Sequence, residues 1–167
     1  MTRFSLAAAL TLIPTIALAD TRLERFEDVA QRMNGLMADM MIAEIEAAGG
    51  DGTAIREASV AFPPWDDEMR AAAGCAIEGY IDASSANAVD DMIVRMDALI
   101  DNAGSMSMDE FSQMASSGET LPEGLTMDES FEINSRCGMT DLQIEAMQES
   151  GLMEAMMTAG RTLPGNN

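Results

Sequence analysis

The chain holds seventeen methionines, two cysteines and no histidine, and this inventory sets the chemistry open to it. A thioether is a soft ligand that suits Cu(I). Met33, Met37, Met40 and Met41 fall within about two helical turns. Met106 and Met108 form an M-x-M pair, with Met114 six residues further on. Both groups have spacing that a single soft ion could bridge. The same steps of three and four also make an ordinary apolar helix face, and methionine is a flexible core filler. With aromatic residues at only 4%, packing is the simpler account. Copper is the alternative reading, and no other cofactor is expected.

The missing residue types exclude more. Without an imidazole there is no His-based triad and no His-containing zinc site, and without a lysine there is no Schiff base. The Glu-x-x-His motif of ferritin-like di-iron centres cannot be written in this alphabet. Carboxylate-only catalysis stays open in principle. The most site-like acidic cluster is Trp65-Asp66-Asp67-Glu68 after Pro63 and Pro64, an aromatic platform beside acids. It is equally a helical first turn whose charges suit the helix dipole. The sequence places no second carboxylate opposite it, so a non-enzymatic role is expected. Between Leu99 and Glu110 the letters partly resemble an EF-hand loop, with Gly104 at the turn and Glu110 at the last ligand position. Leu99 and Ala103 fall where the first and fifth ligands belong, so the oxygen set is incomplete.

Twenty-nine acidic residues against nine basic ones, all arginine, give a formal charge of −20. That field repels phosphate backbones and anionic lipid, so no nucleic-acid partner is expected. A cationic protein partner, or an apolar one seated on methionines, fits better. Acidity spread evenly over the surface would instead be a solvation device.

The N-terminus reads as a secretory signal over residues 1–19. Arg3 supplies the charged start, Phe4 to about Ile16 the apolar stretch, and Ala17-Leu18-Ala19 the small-residue cleavage motif before Asp20. The apolar stretch is shorter than the roughly 20 residues of a membrane span, so no stable anchor is expected after cleavage. The mature chain would be exported, periplasmic in a Gram-negative cell and otherwise secreted. In an oxidising compartment Cys75 and Cys137 form one disulfide.

Helical periodicity dominates the chain beyond the signal, and no alternating strand pattern competes with it. Helices are expected over 22–48, 53–61, 65–82, 86–101, 108–116, 127–136 and 141–159, with 161–167 as a flexible tail. Four capping-box patterns mark helix starts: Thr21 with Glu24, Ser107 with Glu110, Thr126 with Glu129, and Thr140 with Gln143. Small residues at Gly74, Cys75, Ala76 and Gly79 should let a neighbouring helix approach closely. The expected fold is a single all-α domain over 20–160, a disulfide-stapled bundle of five to seven mostly antiparallel helices. Its expected role is that of an exported, acidic binding or interaction protein.

Overall fold

A computed structural model describes residues 15–118 and 120–162. Of the tail expected over 161–167, residues 161 and 162 are helical and 163–167 lie outside the described residues, as does the part of the signal reading that covers residues 1–14. The rest is all-α. The helices are α1 (Thr15–Ala47), α2 (Thr53–Val60), α3 (Asp67–Ala83), α4 (Ala86–Asn102), α5 (Met108–Ser116), α6 (Met127–Arg136), α7 (Met139–Glu149) and α8 (Leu152–Thr162). A 3-10 turn at Ala103–Ser105 links α4 to α5. Among the described residues there is no strand, and no helix is long and apolar enough to cross a membrane.

Local chemistry explains most of these boundaries. Asp66 caps α3 by accepting a hydrogen bond from Met69 N at 2.8 Å, and Ser85 caps α4 in the same way through Ala88 N. Ser107 with Glu110 and Thr126 with Glu129 form complete capping boxes at α5 and α6. The other two patterns do not start helices. Thr21 lies inside α1, which begins at Thr15, and Thr140 lies inside α7, whose N-cap is Gly138 at φ +76°. One helix expected over 141–159 is two, because Gly151 at φ +74° turns the chain between α7 and α8. Among the described residues the α-helices therefore number eight, one above the expected five to seven.

Helix α1 is 33 residues long, about 50 Å at 1.5 Å per residue, and the other elements pack along it. Towards its start, Val29 joins Ile77 and Tyr80 of α3, Val89, Met92 and Ile93 of α4, and Ile133 of α6 in the main hydrophobic cluster. Leu23 and Phe26 also pack against a second cluster formed by Met69, Ala72, Ala73 and Met139, which joins α3 to α7. Towards its end, Ile42 and Ile45 pack with Ile55 and Ala58 of α2 and with Ala155 and Ala159 of α8.

The disulfide Cys75–Cys137 ties α3 to the end of α6, with 5.7 Å between the Cα atoms. Close approach of these two helices depends on Gly79, where an added Cβ would stand 2.7 Å from Ile133 Cγ2. Gly74 serves no such purpose, since nothing lies within 4 Å of a Cβ there.

The arginines fasten α1 to its neighbours. Arg22 makes a two-point ion pair with Asp90 of α4 at 2.8 and 2.9 Å. Arg32 reaches Asp97 and, at 2.7 Å, Asp101 on the same helix. Arg70 of α3 pairs with Glu27 at 2.9 Å, and Arg56 of α2 with Glu46 at 2.9 Å.

Candidate functional site

Burial of the methionines shows how the chain uses them. Only Met69, Met92 and Met139 are buried, Met37, Met127 and Met157 are exposed, and the other ten described are half-buried. Of the half-buried ones, Met96 packs against the main hydrophobic cluster and Met41 and Met156 against the one at the far end of α1. Several of the half-buried ones line surface cavities between helices.

The four methionines of α1 do not act together. Met37 and Met41, one turn apart, face a cavity of about 180 Å³ that Met147 of α7 and Met156 of α8 also line. Met40 faces a different cavity, of about 570 Å³, between α1 and the entry to α5. Met33 is half-buried and lines neither. Met106 and Met108 share the larger cavity with Met40, whereas Met114 is half-buried away from its wall. Phe111 of α5 is buried, whereas Phe131 of α6 is 64% exposed.

The Trp65-Asp66-Asp67-Glu68 segment opens α3. Pro63 and Pro64 hold the preceding chain out of helical conformation. The Trp65 ring meets Phe26 of α1 edge-on, with centroids 6.0 Å apart and planes at 63°. Trp65, Asp66 and Glu68 line a cavity of about 180 Å³, and Glu145 and Glu149 of α7 stand on its wall. The acids facing this cluster thus come from a helix some eighty residues later. What carries them there is the packing of Met69, Ala72 and Ala73 on Met139, with Trp65 and Leu142 at its edge. Asp67 is exposed and lies off the cavity wall.

Phe62 is a shared wall. It lines the acidic cavity, the methionine cavity formed by α1, α7 and α8, and a third of about 250 Å³ bounded by Gln31, Gly35, Ser59 and the two prolines. The short Phe62–Trp65 connection therefore runs between an apolar, sulfur-rich depression and an acid-rich one. All four carboxylates at the acidic end are exposed. Among the described residues none of them takes part in an ion pair.

Asp66 of this group also caps α3, and elsewhere further carboxylates have structural work. The Arg22 hydrogen bond holds Asp90 below the usual carboxylate range, and Asp90 in turn raises Arg22. Glu110 is lowered by hydrogen bonds from the Ser107 backbone and hydroxyl, and Glu129 by those from the Thr126 hydroxyl and backbone. The Glu110 carboxylate is therefore committed to a helix cap and not to a calcium loop, and Leu99 at the first loop position is buried. Among the described residues there is no group of three or more acidic, cysteine or histidine side chains that could hold a metal ion.

The chain matches no protein-family model and shows no detectable similarity to a curated protein or to a solved structure.

Proposed function

We propose that the protein is an exported, non-enzymatic binding protein that takes a cationic polypeptide segment with an apolar anchor along the Phe62–Trp65 connection. The observation that carries this reading is the placement of Phe62 between a methionine-lined cavity and one walled by Asp66, Glu68, Glu145 and Glu149. Methionine walls adapt to varied apolar side chains because the thioether chain is flexible and polarizable. Exposed carboxylates outside ion pairs attract basic residues at a distance and set orientation on arrival. The arginines strengthen the contrast, since those in ion pairs bind α1 to α2, α3 and α4.

Export is supported by the three-part signal in residues 1–19. Cleavage after Ala19 would start the chain at Asp20 and bring the Thr21–Glu24 capping pattern to the beginning of α1, where such a pattern has a use. Protein recovered from the cell envelope or medium should begin at Asp20, as read by N-terminal sequencing.

Trp65 is the single tryptophan, so its fluorescence reports on this site directly. Titration with a basic amphipathic peptide should shift Trp65 emission, and added salt should weaken the response. A Glu68→Gln/Glu145→Gln/Glu149→Gln variant should lose most of it. The same peptide with its basic residues replaced by glutamate should not bind. Equal binding of both peptides, or an unchanged Trp65 signal with either, would refute the proposal.

A further inference from the structure

The larger methionine cavity has a chemistry separate from that of the peptide groove. We propose that Met40, Met106 and Met108 together form a thioether site for Cu(I) between α1 and the entry to α5.

Three observations converge on it. Residues from segments more than sixty positions apart bring their sulfur-bearing side chains to one cavity, and all three are half-buried. The M-x-M pair is held in place by local structure on both sides. Met106 is extended and its N–H donates to Ala103 O at 2.9 Å, closing the 3-10 turn. Ser107 is extended too, as the cap of α5, and its N–H and hydroxyl both donate to Glu110 Oε2 at 2.8 and 2.9 Å. Met106 in the extended entry and Met108 at the first position of α5 line one wall together with Ser107, whose N–H and hydroxyl are engaged by Glu110. The pair thus reaches the cavity pre-positioned by the turn before it and the cap within it.

Ligand type selects the ion. Thioethers favour Cu(I) over calcium, magnesium and zinc, which prefer oxygen, nitrogen or thiolate. The chain has no histidine, and both cysteines are in the disulfide. Asp39 and Glu44 of α1 and Asp109 of α5 also line the cavity. Their charge draws a cation in without supplying the oxygen cage that a hard metal needs.

A thioether binds no proton in the accessible range, unlike imidazole and thiol ligands, whose metal affinity falls with acid. The charged groups facing the cavity are Asp39, Glu44 and Asp109, with Glu110 behind Ser107.

The test is anaerobic titration of the full chain with Cu(I) against a chromophoric chelator, alongside methyl NMR of the methionines with Ag(I) as a redox-inert stand-in. One equivalent should bind, shifting the methyl signals of Met40, Met106 and Met108 and leaving those of Met37, Met41, Met147 and Met156 in place. The variant Met40→Leu/Met106→Leu/Met108→Leu keeps the apolar bulk and should lose stoichiometric binding, while a Leu variant of the other four methionines should keep it. No competition with the chelator, shifts centred on the other cluster, or full binding by the first variant would each overturn the site. The methyl shifts of the unaltered protein decide the matter even if a Leu variant fails to fold. Loss of metal binding leaves the peptide reading untouched, because no residue is common to the two sites.

Discussion

The Tyr80 hydroxyl lies 3.0 Å from Ser130 Oγ and donates to Asn134 Oδ1 at 3.0 Å, so α3 and α6 are joined by a buried polar contact within one turn of Ile133. Ser130 is the buried polar residue of this packing. Removing only the tyrosine oxygen leaves two partners without their bond, a cost of about 1–3 kcal/mol. Tyr80→Phe should lower the urea midpoint with no change in the slope of the transition. The double variant Tyr80→Phe/Ser130→Ala should lose less than the sum of the single changes.

Acid should weaken the fold in a way that single substitutions can trace. Asp90, Glu110 and Glu129 have folded pKa values below their ordinary ones. Their contribution is fully present above the unfolded carboxylate pKa of about 4 and is lost as pH falls through the lower folded values. Asp90→Asn should therefore be less stable than the unaltered protein at neutral pH, and the gap should close on acidification. Denaturant midpoints measured in parallel down the pH scale give the comparison, and a gap that widened in acid would contradict the assignment.

Reduction of Cys75–Cys137 releases a crosslink between residues 62 apart. On the chain-entropy view that crosslink contributes about 4 kcal/mol. Thermal melts with and without reductant should differ by many degrees. The Cys75→Ala/Cys137→Ala variant should reproduce the reduced curve and be insensitive to reductant.

Alanine at position 79 meets Ile133 Cγ2 at 2.7 Å. Overpacking of this kind costs about 1–3 kcal/mol, against a helix-propensity gain of about 1 kcal/mol for leaving glycine. Gly79→Ala should destabilise the protein on balance. In an Ile133→Ala background, where the obstructing methyl is gone, the same change should stabilise it.

The elements whose ends are written in adjacent residues were legible in the sequence. Helices α2, α4, α5 and α6 begin and end within a residue or two of expectation, because caps such as Ser85, Ser107 and Thr126 and the glycines at 49, 50 and 52 act locally. The disulfide followed from the cysteine count and the expectation of export. The break at Gly151 was not legible, because a lone glycine inside a helical pattern does not disclose its φ. Thr140 lost its expected capping role because Gly138, directly after the disulfide cysteine, turns the chain into α7 two residues earlier.

The candidate sites were legible only in halves. Met106 and Met108 announced themselves by spacing, and Trp65 to Glu68 by composition. Their partners, Met40 in one case and Glu145 with Glu149 in the other, arrive through packing of distant helices, which leaves no mark on local periodicity. The α1 methionines misled for a related reason. Four sulfurs within two turns share a segment, but residues one position apart on a helix point about 100° apart, and so Met40 and Met41 face different cavities.

Helix α1 contributes to all three hydrophobic clusters, and at its middle stands Gly35, beside which no atom lies within 4 Å of a Cβ position. The disulfide and the Tyr80 contact both belong to the α3–α6 side, so α2 and α8 hold to the far end of α1 without either. Amide protection should accordingly fall into two tiers: residues 53–60 and 152–162 open at lower free energy than α3 and α6. Gly35→Ala stiffens the shaft between the tiers and should slow exchange at the far end, drawing the two units toward one cooperative transition.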